Sequence, residues 1–212
     1  MDLVKLENKI ILADCMDILK QLETKSVDLI ITDPPYGGNV YRSGGRLAKY
    51  TGSEKKSLIE WDIAPKKEVF YEIFRVSKNQ IIWGGNYFDL PATRCFNAWH
   101  KIDIPFKFSF SNVEYAWTSF NQNAKLFQIE TNGKGKKFHP TQKPLELIIK
   151  QILLYSKEGD LILDPFSGSS TTAIACEKTG RRFICIEKNQ DYFAKSVERL
   201  EDLRKEPVLW KN

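Results

Sequence analysis

Short apolar runs that each stop at an acid are the feature that most constrains this chain. Ile10-Ile11-Leu12-Ala13 stops at Asp14, and Val27-Asp28-Leu29-Ile30-Ile31-Thr32 stops at Asp33-Pro34-Pro35. Leu161-Ile162-Leu163 stops at Asp164-Pro165, and Arg182 to Ile186 stops at Glu187. Near-continuous apolar runs of this length are what buried parallel strands look like, because both faces of such a sheet are covered. The two prolines after Thr32 have no N–H to give to a ladder, so the strand must end there.

Between these runs the apolar period changes to that of a helix. The pattern predicts helices over Asp17–Leu22, Pro65–Val76 (with a proline in its first turn), Pro144–Tyr155, Thr171–Lys178 and Gln190 to about Leu203. Leu145, Leu147, Ile148, Ile152 and Leu153 supply the buried face expected of Pro144–Tyr155. Gln80–Trp83 reads as a further strand, and the aromatic and β-branched stretch from 95 to 130 predicts strands over Cys95–His100, Val113–Thr118 and Lys125–Ile129. Trp99 and Trp117 read as core residues. Strands alternating with helices over 212 residues predict one α/β domain with a largely parallel sheet.

No stretch is apolar enough to span a bilayer, and the first residues lack a secretory pattern, so a cytoplasmic protein is expected. The four cysteines, Cys15, Cys95, Cys176 and Cys185, form no C-x-x-C pair, and the two histidines, His100 and His139, do not cluster with them. That composition argues for buried thiols and against a metal site. The net charge of +5 permits a nucleic-acid partner without demanding one. Its distribution says more: Arg42, Arg46, Lys49, Lys55 and Lys56 fall in a glycine-rich loop from about 37 to 58, and Lys134, Lys136 and Lys137 in a second. A solvated loop is the default reading of each. The first is expected to be mobile, and a structureless loop of its length inside a compact domain is usually functional or disordered.

Asp33, Asp164 and Glu187 each follow an apolar strand. Any one of them could simply cap a turn or helix. Three at the carboxyl ends of parallel strands would instead face one crevice, where open α/β sheets bind ligands. The segment Asp164-Pro165-Phe166-Ser167-Gly168-Ser169-Ser170-Thr171-Thr172 joins strand to helix with small residues that let a ligand approach the backbone. Glu187 stands at the end of the next strand, where an acid can take ribose hydroxyls. The segment is not G-x-G-x-x-G, Phe166 would crowd a pyrophosphate, and no Walker lysine comes after the glycine, which points to a nucleoside cofactor without phosphates.

Asp33-Pro34-Pro35-Tyr36 upstream of Asp164-Pro165-Phe166-Ser167-Gly168-Ser169-Ser170, with His139-Pro140-Thr141-Gln142-Lys143-Pro144 just before that loop and Ala13-Asp14-Cys15 near the N-terminus, resembles the β class of DNA amino-methyltransferases. The resemblance covers nearly the whole chain. One departure is Ser170, where the family usually has glycine. The resemblance implies a Rossmann-like methyltransferase fold with a mostly parallel seven-stranded sheet and helices on both faces. It also implies S-adenosylmethionine as cofactor. Glu187 would take its ribose hydroxyls, Asp14, beside Cys15, its adenine amino group, and Phe166 would pack on the adenosine or methionine part. Asp164, Thr141, Gln142 and Lys143 would lie near the methionine amino and carboxylate groups, with Pro165, Gly168, Ser169, Thr171 and Thr172 forming the turn and helix start beneath. By default, a lysine just ahead of a helix would be solvated.

The chemistry suits an exocyclic amine. Its nitrogen is a poor nucleophile because the lone pair is delocalised into the ring. Asp33 as an acceptor-only carboxylate and the Pro34 carbonyl can each take one N–H, which leaves the lone pair facing the methyl donor. Proline stiffens that turn. Tyr36 offers an aromatic face for a base flipped out of the duplex. Attack on cytosine C5 needs a nucleophilic cysteine, which in enzymes of that type follows a proline, and no cysteine here does.

DNA is therefore the expected partner. The basic loop leaves directly from the tetrapeptide, so its charges become candidates for phosphate contacts. The resemblance places target recognition between the main motifs, within 99–137, where Lys101, Asn112, Glu114, Asn121 and Gln122 could reach base edges. A homodimer and a restriction endonuclease in the same system are further expectations. Adenine N6 is favoured as acceptor because the family more often pairs Asp at this position with adenine. Cytosine N4, and a non-catalytic DNA-binding subunit that keeps the fold, are the alternatives.

Overall fold

A computed structural model describes residues 3–37, 63–105, 111–131, 138–139 and 141–205. Its eight strands are β1 (Lys9–Leu12), β2 (Val27–Thr32), β3 (Ser77–Trp83), β4 (Phe96–Lys101), β5 (Val113–Thr118), β6 (Lys125–Ile129), β7 (Leu161–Asp164) and β8 (Arg182–Glu187). Five α-helices accompany them: α1 (Cys15–Leu19), α2 (Lys67–Val76), α3 (Leu145–Tyr155), α4 (Thr171–Thr179) and α5 (Gln190–Lys205).

The strands form one sheet in the order β1-β8-β7-β2-β3-β5-β4-β6. It is parallel except where β5 runs against β3 and β4. The resemblance implies seven strands, and the sheet has eight. The added edge comes from β6, which pairs parallel with β4 and is tied down by the Trp99 indole N–H donating to the Ile129 carbonyl at 2.8 Å.

Alternation along each central strand divides the core into two layers. Leu29, Ile31, Ile81, Trp83, Ile162, Phe183 and Cys185 face the side covered by α3, α4 and α5. Ile30, Ile82, Leu163, Ile184 and Ile186 face α1 and α2. Helices thus cover both faces, as a parallel sheet requires. Trp99 and Trp117 are buried, and the four cysteines are free and buried. Leu153, expected on the buried face of α3, is exposed instead. Among the described residues no helix is long and apolar enough to cross a membrane.

Element boundaries reflect local chemistry. Asp14 accepts from the Met16 backbone N–H at 3.0 Å and so caps α1, which begins at Cys15 rather than at the expected Asp17. β3 starts three residues before the expected Gln80, because Ser77–Asn79 continue the pairing with β2.

The topology also fixes where a ligand can bind. From β2 the chain passes to β3 on one side, whereas β7 and β8 lie on the other. The strand order therefore reverses between β2 and β7, the place where open parallel sheets form a crevice at the carboxyl ends.

Ile30, wholly buried in β2 between β3 and β7, tests this core. Ile30→Ala should cost about 2–5 kcal/mol in urea denaturation. A loss below about 1 kcal/mol would contradict the packing described.

Candidate active site

Four consecutive parallel strands, β1, β8, β7 and β2, each deliver an acid to the same edge of the sheet: Asp14, Glu187, Asp164 and Asp33. Sequence spacing predicts three of these in one crevice, and the sheet order sets Asp14 in line with them. An open cleft of about 830 Å³ lies over this edge, and Asp14, Asp33, Phe166, Gly168 and Glu187 help to line it.

Asp164 is the most enclosed of the four. Thr32 donates to its Oδ1 at 2.9 Å and Thr172 to its Oδ2 at 2.6 Å. The Phe166 backbone N–H also donates to Oδ1, at 3.2 Å. One carboxylate thus joins the end of β2, the turn after β7 and the first turn of α4. Burial pushes its pKa up to about 6, against the lowering effect of these hydrogen bonds.

Glu187 accepts from the Gly168 N–H at 2.8 Å through Oε2 and from the Asn189 N–H at 2.7 Å through Oε1. The Lys188 backbone N–H also acts on this carboxylate, which still has acceptor capacity left and lines the cleft. Gly168 adopts a left-handed φ of +50°, and a Cβ there would come within 3.1 Å of the His139 ring. His139 in turn packs edge-on against Tyr192, and burial lowers its pKa to about 4, keeping it neutral. Ser170, the departure from the family pattern, also has φ +50°. A left-handed backbone explains why glycine suits that position. Here the buried serine donates to the Ser167 hydroxyl at 3.1 Å.

Thr141, Gln142 and Lys143 border the inner end of the crevice together with Asp164, Phe166, Ser169, Thr171 and Thr172. Gln142 Oε1 is buried there with no hydrogen-bond partner among the described residues. Cys15 and Pro165 line the cleft as well, and burial pushes the Cys15 thiol up to about 12.

The tetrapeptide itself is more tightly bound than the sequence suggests. The Tyr36 hydroxyl donates to Asp33 Oδ1 at 2.6 Å, and Lys143 Nζ donates to Asp33 Oδ2. The Tyr36 ring stacks on Tyr87 with centroids 4.7 Å apart and an interplanar angle of 16°. A Cβ on Gly84 would lie 2.1 Å from the Tyr36 ring, so only glycine fits beside it. Pro34 is buried and Pro35 half-buried.

Lys143 differs from the solvated lysine expected by default. Its side chain is only 8% exposed and also forms an ion pair with Glu114 at 3.0 Å. Glu114 pairs through its other oxygen with Lys101 at 2.5 Å. Lys101 and Glu114, both candidates for contact with DNA, therefore hold each other within the chain, and Asn112 donates to the Ile104 carbonyl. Asn121 and Gln122 are exposed. Arg42, Arg46, Lys49, Lys55, Lys56, Lys134, Lys136 and Lys137 lie outside the described residues.

Several residues of the site carry no motif. Thr32, Trp83 and Glu114 are placed by sheet register and Gly84 and Tyr87 by the turn after β3, and the sequence alone offers at most a clue at Gly84, which comes directly after a strand.

A model of the N6/N4 DNA methylase family matches residues 82–198, more than half of the chain. The chain belongs to this family. The matched segment spans Lys143, the Asp164 loop and Glu187, and Asp33 lies upstream of it. Similar proteins extend further. The Type II methyltransferase M.HinfI of Haemophilus influenzae is 27% identical over 94% of this chain and 70% of its own length. The Type II methyltransferase M2.DpnII of Streptococcus pneumoniae is 27% identical over 92% and 91%. Among solved structures, the fold resembles M1.HpyAVI in its complex with SAM, at a TM-score of 0.61 and 24% identity over 91% and 98% of the two chains. It also resembles the cytosine-N4-specific PvuII DNA methyltransferase, at 0.61 and 18% over 92% and 90%.

Asp164 makes the stability of this family member depend on pH in a predictable direction. Its folded pKa of about 6 lies above its ordinary value, so the protonated folded form is favoured. The resulting stability is full below about pH 4 and is lost as pH rises through about 6, on the order of 2–3 kcal/mol. Denaturation across that range should therefore show wild type losing stability relative to Asp164→Asn, and a gap independent of pH would contradict the assignment.

Proposed function

We propose that this chain transfers a methyl group from S-adenosylmethionine to the N6 amino group of an adenine in DNA. The observation that carries the reading is the convergence of Asp33 with an open cleft, lined by Asp14, Phe166, Gly168 and Glu187, at the switch between β2 and β7. Family membership supports methylation of an exocyclic amine. Asp at the head of the tetrapeptide favours adenine over cytosine N4.

The residues present fit the cofactor. The remaining acceptor capacity of Glu187 suits a ribose hydroxyl, and Asp14, exposed at the cleft rim, suits an adenine amino group. Phe166 supplies an apolar wall, and the left-handed Gly168 leaves its backbone bare to the cleft. Gln142 Oε1, buried without a partner among the described residues, and the Asp164 carboxylate offer acceptors for the methionine ammonium. When bound, S-adenosylmethionine supplies an electrophilic methyl group.

The chain's own residues then do the rest. Asp33 retains a lone pair on each oxygen beyond those facing Tyr36 and Lys143, and one of them accepts an N–H of the target amine. The Pro34 carbonyl accepts the other. With both protons engaged, the nitrogen lone pair is aimed at the cofactor side of the crevice, so positioning and electrostatics carry the rate. Tyr36 stacks on Tyr87, and the exposed Tyr87 ring is the part of this pair left to stack on the flipped base. The high pKa of the Cys15 thiol disfavours it as the nucleophile that C5 chemistry would need. The arginines and lysines of the 37–58 loop are proposed to meet phosphates, on the strength of their charge and their place in the sequence.

Asp33→Ala should abolish transfer of labelled methyl to DNA while calorimetry still detects S-adenosylmethionine binding. Turnover near the wild-type rate would end the mechanism, and loss of cofactor binding with it would move Asp33 from the amine to the cofactor.

A further inference from the structure

The four charges Lys101, Glu114, Lys143 and Asp33 form an unbroken line of alternating sign. Lys101, at the end of β4, meets Glu114 on β5 at 2.5 Å. Glu114 meets Lys143 at 3.0 Å, and Lys143, in the segment leading into α3, meets Asp33 at the end of β2. Three strands and a helix entry thus contribute to one line that ends on the acceptor of the target amine. The Lys143 ammonium also lies over the Trp83 ring, 5.4 Å from its centroid. A lysine fixed by two carboxylates and an aromatic face has little freedom to swing toward a cofactor.

Building on the amine-methylation reading above, we propose that Lys143 is a positioning residue that keeps Asp33 ionised and aimed, and that Glu114 holds Lys143 to that task. The physical need is clear from the surroundings of Asp33. Burial disfavours its charge, and two acids, Glu114 and Asp164, lie near enough to repel it. Tyr36 donates to it but carries no charge, and neutral His139 adds none. Lys143 is the one cation against it among the described residues. Burial raises the Asp33 carboxyl above its ordinary value even with Lys143 in place, and Lys143 limits that rise. A protonated Asp33 would hold a hydrogen on an oxygen that must accept one from the amine, so the charge is a condition of the chemistry.

Glu114 has a second effect. The two lysines hold its own carboxyl down to about 2 against burial, so it stays charged throughout the working range. It anchors Lys143 and at the same time repels Asp33. Glu114→Gln keeps a side-chain oxygen that can accept from Lys143 and loses only the negative charge, so it and Lys143→Met should move Asp33 in opposite directions, which a general loss of stability cannot imitate.

The test is the pH dependence of kcat/KM for methyl transfer to DNA. Lys143→Met should move the acid limb up by about 1–3 pH units, the usual effect of losing an adjacent opposite charge, with activity recovering as pH rises. Lys143→Arg should bring the limb back, Glu114→Gln should move it down, and S-adenosylmethionine affinity by calorimetry should stay at the wild-type value in all three. The proposal is overturned if Lys143→Met lowers the rate by one factor at every pH, or if it weakens cofactor binding with the limb in place. Should that variant not fold, Glu114→Gln decides alone, since an unmoved or raised limb contradicts the proposal. Carbon-13 NMR titration of aspartate-labelled protein reads the Asp33 carboxyl without turnover. A wild-type chain that methylates no DNA would thus defeat the functional reading, while the carboxyl midpoint in Lys143→Met still decides the role of Lys143.

Discussion

The structure depends on the buried carboxylate of Asp164. It accepts hydrogen bonds from Thr32 at the end of β2, from Thr172 in α4 and from the backbone of Phe166. These contacts join the strand that presents Asp33 to the loop that borders the cleft, across the point where strand order reverses. Without such a joint the two halves of the crevice would be set only by the spacing of neighbouring strands. A carboxylate kept from water needs this many donors, because an unmet charge there would be costly. Its three hydrogen bonds therefore account for both its tolerance of burial and the fixed geometry of the site.

A second buried arrangement completes the site from the other side. Glu114 and Lys143 bring β5 and the start of α3 to the Asp33 turn. Pairs of this kind add little net stability, since desolvation offsets much of the attraction. Their contribution here lies in orientation. Asp33 is held by Tyr36 on one oxygen and Lys143 on the other, so its remaining lone pairs have fixed directions. The region expected to read DNA thus also supplies part of the frame around Asp33.

Much of the fold is legible in the sequence because its strands end on residues that cannot continue a ladder or that cap the next helix. Val27–Thr32, Val113–Thr118 and Lys125–Ile129 are read to the residue. The start of α1 is missed by two residues because Asp14 acts as its cap. The convergence of Asp33, Asp164 and Glu187 is implied by strand-end position alone. The Lys143–Asp33 contact is not, since its partners are 110 residues apart and meet only through sheet order and the path into α3. Glu114 has no motif, and near the start of a strand its charge reads as a surface group. The stacking of Tyr36 on Tyr87 is likewise a product of the turn after β3 and of the bare Gly84 backbone beside the ring.

The arrangement assigns chemistry to an exocyclic amine and gives no thiol the setting of a nucleophile. The most direct measurement is the identity of the modified nucleoside. DNA incubated with the protein and methyl-labelled S-adenosylmethionine is digested, and the nucleosides are separated and weighed by mass spectrometry. The account predicts the label in N6-methyldeoxyadenosine. Label in N4-methyldeoxycytidine would keep the amine chemistry and change the base, whereas label in 5-methyldeoxycytidine, or no labelled nucleoside, would contradict the account.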